Sequence, residues 1–171
     1  MLKLKRADTY LRTTMFPTVH REKTTGIFVR YTHHPADPRI NAALIDVEHA
    51  KTGRFGIGWH YLVQVDGTVE ICRHPLSIGA MGRDIYKPHN IQIGLVGGRD
   101  RETGKFSETI TTAQRDALEA FYQKLADTLG VALEIDESLE KFTFAGHEQT
   151  EVAEAELEAR LDSIEAMTIG G

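Results

Sequence analysis

The sequence predicts a single α/β (α+β) domain in which helices flank a mixed central β-sheet. Runs of β-branched and aromatic residues recur along the chain, and capped segments with helical spacing separate them. The resulting order, β, α, β, β, β, α, β, α, is typical of a sheet covered by helices. With 171 residues, the chain is long enough to bury a core of its own, and its single cysteine, Cys72, forms no internal disulfide.

The N-terminal part of the chain has the weakest structural signal. We expect residues 1–24 to form an irregular arm and residues 25–171 to form one domain. No internal repeat, low-complexity tract or Pro/Ser-rich linker divides the chain.

The first strand and the first helix follow the arm. GIFVRYTHHP is rich in β-branched and aromatic residues and is stopped by Pro35, so both of its histidines lie where the strand ends. NAALIDVEHAKTG then predicts a helix. Asn41 is its N-cap, Leu44 and Val47 share one face, and Gly53 lies just past its end.

The clearest local signal is a β-hairpin. WHYLVQVDGTVEICR holds two β-type runs joined by Asp66 and Gly67, a dipeptide favoured in tight hairpin turns. Two later segments, IQIGLVGG and KFTFAG, also predict strands.

Two helices complete the pattern. In TTAQRDALEAFYQKLADTLG, Thr111 and Gln114 have capping-box spacing and Gly130 marks the end. Apolar residues at helical spacing after His147 predict a final amphipathic helix.

Charge is unevenly distributed along the chain. The net charge of −5 argues against direct binding to nucleic acid. Residues 1–30 nevertheless carry seven Lys/Arg against two Asp/Glu, and residues 131–171 carry eleven Asp/Glu against two Lys/Arg. These segments are either solvated faces or a docking surface for a partner protein. We expect a cytoplasmic protein without a membrane partner, because there is no signal peptide and no apolar run of membrane length.

Three blocks of sequence carry a resemblance to a known family. IGWHYLVQVDGTVE, HNIQIGLVGG and GGRDRETGKFSETITTAQRDAL resemble, in order, the type 2 N-acetylmuramoyl-L-alanine amidases. They are most similar to the small phage lysozymes of that family, which are relatives of the peptidoglycan recognition proteins. The resemblance implies a mixed sheet with zinc in a surface groove and cleavage of the amide between N-acetylmuramic acid and L-alanine.

The resemblance implies three zinc ligands, and three protein ligands leave one position open for chemistry. His147, in AGH, matches the histidine that follows a late strand. The histidine after the first strand has two alternatives. Matching HHPAD makes His33 the ligand, whereas matching IFVR puts Arg30 there, and a guanidinium does not bind zinc.

The third ligand and the catalytic tyrosine depart from the family pattern. EQTEVAEAELEAR lacks the family's Cys or Asp, so Glu154, or else Glu151 or Glu156, is the candidate ligand unless all three belong to a solvated helix face. The tyrosine falls on Trp59, whose indole N–H can donate to an oxyanion but cannot exchange a proton.

The resemblance also concerns a catalytic lysine and the residues that contact substrate. The phage lysozymes' lysine has no counterpart here. His34 and His60, next to a candidate ligand and to Trp59, are the candidate substrate contacts. His60 should point to the opposite face of its strand from Trp59, which would make it structural.

Two functions remain open from the sequence. The first is a peptidoglycan hydrolase of low activity that uses zinc, acts on muropeptides and is held in the cytoplasm of a phage-infected cell. The second is an inactive binding protein on the same scaffold, whose partner is a peptidoglycan fragment or a protein such as RNA polymerase.

Overall fold

A computed structural model describes residues 2–7, 21, 23–81, 88–130 and 132–135. Contacts divide the chain into a unit of Met1–Glu140 and one of Lys141–Gly171, and all described residues belong to the first. The elements in chain order are strands β1 (Leu4–Arg6), β2 (Gly26–Tyr31) and β3 (His34–Pro35), helix α1 (Ala42–Lys51), strands β4 (Tyr61–Val63), β5 (Val69–Ile71), β6 (Asn90–Leu95) and β7 (Gly98–Arg99), helix α2 (Thr112–Leu129) and strand β8 (Ala132–Ile135).

A six-stranded mixed sheet forms the centre of this unit. Its strand order is β1-β5-β4-β6-β2-β8, and only the β4–β5 pair is antiparallel. β3 and β7 form a separate two-stranded parallel ladder after β2 and β6. The predicted fold class, a mixed central sheet with helices, is therefore confirmed.

Helix α1 begins and ends as its sequence predicts, but it buries a different face. The Asn41 side chain accepts a hydrogen bond from the Leu44 N–H, and Gly53 follows the helix with a φ of 80°. Val47, predicted to share one face with Leu44, is 52% exposed. Ile45 and Asp46 are buried instead, because the Asp46 carboxylate accepts the Ile57 N–H at 2.7 Å.

The predicted hairpin between β4 and β5 is confirmed, with a loop longer than two residues. The Gly67 N–H donates to the Gln64 carbonyl, and Gly67 has a φ of 80°. Asp66 has a negative φ and accepts a hydrogen bond from the Thr68 N–H. A turn followed by one left-handed glycine accounts for this loop.

Helix α2 has the predicted capping box and C-terminal glycine. The Thr111 hydroxyl accepts the Gln114 N–H, and the Gln114 side chain accepts the Thr111 N–H in return. Gly130 ends the helix in the left-handed conformation that glycine adopts without strain. Of the helices in the described part of the chain, none combines the length and apolar character of a membrane-crossing segment.

The two faces of the sheet pack against different elements. One core cluster lies between α1 and the sheet, and on the other side Tyr61 meets Phe121 of α2 with ring centroids 4.7 Å apart. The cluster consists of Ala7, Ala42, Ile45, Ile57, Trp59, Leu62, Cys72 and Val96. Burial of each large member stabilises the fold by about 1.5–3 kcal/mol.

The elements near the two ends of the chain are those that the sequence predicted least well. The expectation of an irregular arm over residues 1–24 is wrong for Leu4–Arg6, which pairs with β5. Arg21 lies outside the regular elements, as expected, but it is buried. β8 was not predicted from the sequence. The predicted KFTFAG strand and the helix after His147 lie outside the described residues.

Candidate active site

The predicted first-ligand residues lie where β2 and β6 end. His33 is separated from β2 by Thr32 and has a φ of 61°, a conformation that residues other than glycine seldom adopt. The backbone then turns into β3, where the His34 N–H donates to the Gly97 carbonyl at 3.1 Å. The two adjacent histidines thus diverge, and each has a different polar partner.

His33 is paired with Arg30. The Arg30 Nη2 lies 2.8 Å from the His33 Nε2. A guanidinium only donates hydrogen bonds, so His33 Nε2 accepts and the neutral ring carries its proton on Nδ1. In this arrangement neither ring nitrogen of His33 offers a lone pair to a metal.

His34 is paired with an acidic residue of α1. Its Nε2 lies 2.7 Å from the Glu48 Oε2, and its Nδ1 is buried without an acceptor or donor among the described residues. The carboxylate holds the ring in one orientation, as carboxylates hydrogen-bonded to metal-binding histidines do.

Trp59 lies on the same face of the sheet as Arg30. Its ring covers Gly94 so closely that a Cβ on that glycine would stand 2.9 Å from the indole Cδ2. Gly94 is the register partner of Arg30, and partners in adjacent strands point to one face. Trp59 is 1% exposed, and its indole N–H finds no acceptor among the described residues.

His60 is surrounded by protein groups, which favours the structural role over a substrate contact. It is fully buried, its Nδ1 accepts the Gln92 N–H at 2.8 Å, and its Nε2 lies 2.8 Å from the Ser77 carbonyl. Burial, with the nearby Arg21 and Arg73 as smaller causes, lowers the pKa of His60 to about 3. The ring is therefore neutral, with Nε2–H donating to Ser77.

A buried carboxylate links the loops on either side of the site. Asp37 accepts a two-pronged hydrogen bond from Arg39, and it also contacts Arg101 from the loop after β7. These contacts, with the Arg39 hydrogen bonds as the largest cause, hold the pKa of Asp37 well below its usual range. Sequence reasoning missed this group because Asp37 and Arg101 are 64 positions apart.

The described residues do not fit a zinc ion in this arrangement. Within them, no group of three His, Cys, Asp or Glu side chains is placed to hold a metal. Arg30 adds a positive charge next to His33, which disfavours a cation there. His147 and Glu154, the other two predicted ligands, lie outside the described residues.

The chain is similar in sequence to phage endolysins. No protein-family profile matches the chain. The endolysin of Escherichia phage T7 is 33% identical over 98 residues, which cover 57% of this chain and 64% of the relative. The endolysin of Klebsiella phage KP32 is 30% identical over 105 residues, covering 61% of this chain and 68% of the relative. The chain belongs to the phage endolysin family.

Solved structures show which fold the chain shares. The N-acetylmuramoyl-L-alanine amidase LysC from Clostridium intestinale URNW matches with a TM-score of 0.63 at 20% identity, over 92% of this chain and 99% of that one. PGRP-Hd from Alvinella pompejana matches with a TM-score of 0.58 at 14% identity, over 81% and 87%. The chain therefore has the amidase and peptidoglycan recognition protein fold. It spans 64% of the length of its T7 and T3 phage relatives.

Proposed function

We propose that this endolysin acts on peptidoglycan by hydrolysing the amide between N-acetylmuramic acid and L-alanine. The sequence similarity to phage endolysins carries this proposal, and the fold shared with an amidase supports the choice of bond. The substrate would lie at the ends of β2 and β6, where Arg30 contacts His33 and where Trp59 and Arg30 both lie next to Gly94.

The described residues suggest how substrate is held and polarised. Trp59 would donate its indole N–H to the carbonyl oxygen as negative charge develops on it, since that donor has no described acceptor. It cannot take or give a proton, which the tyrosine expected at this position would do. We therefore expect slow turnover.

The test is digestion of purified peptidoglycan with the full chain. Amide cleavage releases new N-terminal alanine, which dinitrophenylation detects, and produces no new reducing sugar ends. Trp59→Phe keeps an aromatic ring but removes the donor, and it should lower the rate. Reducing ends without free alanine would assign the enzyme to a different class of hydrolase, and no product of either kind would defeat the proposal of hydrolysis.

The second candidate is a protein that binds peptidoglycan without cleaving it. One observation favours it specifically: Arg30 donates to His33, so this pair, as arranged, offers no ligand for a catalytic metal. Sedimentation with insoluble peptidoglycan, without release of alanine, would support this candidate. A protein partner such as RNA polymerase is a prediction from the resemblance alone, testable by mixing the two purified proteins.

Zinc remains a prediction that depends chiefly on residues outside the described part. Its proposed ligands are His147, Glu154 and His33, and binding through His33 requires the Arg30 contact to break. His147→Ala should abolish retained zinc and leave the far-ultraviolet circular dichroism unchanged. Elemental analysis after dialysis measures the zinc, and equal zinc in the variant and the parent would remove His147 from the ligand set.

A further inference from the structure

Two arginines converge on one buried carboxylate beside the candidate active site. Asp37 is 7% exposed, and its Oδ2 accepts the Arg39 Nη2 at 2.6 Å and also contacts the Arg101 Nη2. Because both terminal nitrogens meet the same oxygen, the two guanidiniums are immediate neighbours. Arg39, Arg101 and Asp37 thus form an arginine clamp.

The register of the β3–β7 ladder brings the clamp together. Pro35 pairs with Arg99, so Asp37 and Arg101 each lie two residues beyond a paired position. The ladder itself follows the ends of β2 and β6. Ligands of sheets with parallel strands commonly bind beyond the carboxyl ends of the strands. The clamp therefore lies at the end of the sheet where the substrate is proposed to bind.

Both guanidiniums keep donors that can reach a ligand. The side chains of Arg39 and Arg101 are 78% and 63% exposed. Arg39 binds Asp37 through Nε and Nη2, and Arg101 contacts it through Nη2. The Nη1 groups of both arginines have no acceptor among the described residues, so their donors are open to solvent.

The clamp has one positive charge in excess. Asp37 stays ionised because hydrogen bonds from Arg39 hold its pKa well below the usual range, and one carboxylate balances only one guanidinium. Exposed ion pairs add little to stability, so stability does not account for a second arginine on this carboxylate. Side chains that are already held in place lose less freedom when a ligand binds, which favours binding of an anion here.

We propose that Arg39 and Arg101 bind a free carboxylate of the peptide that follows L-alanine in peptidoglycan. The Nη1 groups would donate to the ligand, since guanidiniums and carboxylates form charge-assisted hydrogen bonds. Asp37 is a positioning residue that holds both arginines. The choice of a peptidoglycan peptide rests on the proposed function, whereas the preference for an anion rests on the clamp.

The probes are N-acetyl-L-alanyl-D-isoglutamine, which has one free carboxylate, and its amide, which has none. Neither contains muramic acid, so the bond of the proposed function is absent and binding is measured without turnover. Titration into the full chain is followed by backbone amide NMR shifts, which report both the affinity and the position of the ligand. Inorganic phosphate is the third probe, because guanidiniums also bind phosphate.

The acid should bind about tenfold more tightly than the amide, a ratio expected for a hydrogen bond to a charged group. It should also shift the amide signals of the loops after β3 and β7. Equal affinities for the acid and the amide, or shifts in other parts of the chain alone, would overturn the proposal. Binding of phosphate at these loops without binding of the peptide acid would overturn it too, because the anion would then have a different source.

Variants of Arg101 test the clamp directly. Arg101→Gln should make the affinities for the acid and the amide nearly equal, because Asp37 then balances the remaining guanidinium. Arg101→Lys should keep a reduced preference for the acid, since it retains the charge but not the planar fork. Lys105→Gln is the matched control, with the same change of charge at an exposed position of the same loop, and should behave as the parent. An equal loss in Lys105→Gln would show that diffuse charge, and not the clamp, attracts the acid.

Asp37→Asn separates placement from net charge. The variant has one more positive charge than the parent, so attraction by charge alone predicts tighter binding of the acid. The clamp predicts weaker binding, because both guanidiniums lose the carboxylate that holds them. Circular dichroism checks that each variant is folded, and tighter binding in folded Asp37→Asn would overturn the positioning role. Arg101 is exposed, so Arg101→Gln tests the clamp even if Asp37→Asn does not fold.

The outcome is separable from that of the proposed function. Alanine release from peptidoglycan without preference for the peptide acid leaves the amidase proposal intact and removes the clamp as a binding site. Preference for the acid that Arg101→Gln abolishes, without alanine release, does the reverse.

Discussion

At the scale of single residues, Arg30 affects one of the three positions of the predicted zinc site. Replacing it by histidine removes a positive charge beside His33 and supplies an imidazole at the position that one alignment gives to the first ligand. Arg30→His should therefore retain more zinc than the parent after dialysis, as measured by elemental analysis. Arg30→Gln is the control, because it removes the charge without adding a ligand. Equal zinc in the histidine and glutamine variants would show that this position is not a ligand position.

His60 makes stability depend on pH. Its pKa is about 3 in the folded protein, whereas an unfolded histidine titrates near ~6.5. Between these values the unfolded chain binds a proton that folded His60 does not. The free energy of unfolding should therefore fall with decreasing pH from about 6.5 downwards, by about 1.4 kcal/mol per pH unit from this residue.

The variant His60→Asn isolates this contribution. Its side-chain oxygen can still accept the Gln92 N–H, but the group does not titrate. Urea unfolding at several pH values between 6.5 and 4.5 measures the free energy of unfolding, which should fall less steeply with decreasing pH in the variant. The carboxylates titrate in both proteins, so the difference between the two slopes reports His60. The same slope in both would mean that His60 takes up a proton without unfolding.

At the scale of elements, the start of α2 is tied to the hairpin. The Thr111 hydroxyl caps the helix and also donates to the Val65 carbonyl at 2.7 Å. Thr111→Ala should lower the free energy of unfolding by about 1–2 kcal/mol, the upper part of the range for lost caps. Urea unfolding measures it, with Thr112→Ala, an exposed change at the first helical position, as the control. An equal loss of free energy of unfolding in Thr112→Ala would show that the Thr111 cap does not stabilise the helix.

Elements with local signals were predictable, and elements formed by distant pairing were not. The cap at Asn41, the capping box at Thr111 and the turn at Gly67 are encoded within a few residues. β1 is three residues long and mostly charged, so only its pairing with β5, more than sixty residues later, makes it a strand.

At the site too, residues with local sequence signals were predictable and contacts between distant residues were not. His33 and Trp59 were identified as candidates from sequence, and the structure brings Arg30 close to both of their positions. The burial of His60 and the Asp37–Arg101 contact depend on the folded arrangement, and no short window of sequence contains both partners of either.

At the scale of the whole described unit, Glu70 connects three elements. Its carboxylate is buried, accepts the Ala42 N–H at the start of α1 at 2.8 Å, and lies 3.0 Å from the Lys5 ammonium of β1. Glu70→Ala should lower the free energy of unfolding by about 1.5–3 kcal/mol, because the Ala42 N–H loses a charged acceptor. Urea unfolding measures the change.

Two controls accompany this prediction. Glu70→Gln keeps an acceptor for the Ala42 N–H and should cost less. Lys5→Met removes a side chain that is 52% exposed and should cost under about 1 kcal/mol. Equal losses in Glu70→Ala and Lys5→Met would show that the ion pair, and not the helix contact, is what matters.

The parallel pairing of the sheet also determines the order in which the chain can fold during synthesis. β2 leaves the ribosome early, but both of its neighbours, β6 and β8, are translated at least sixty residues later. Until then the apolar β2 segment has no strand partner, and sheets built from such distant contacts form slowly. The nascent chain thus exposes an aggregation-prone segment until β6 has been synthesised, so the yield of folded protein should depend on elongation rate and on chaperones that cover β2.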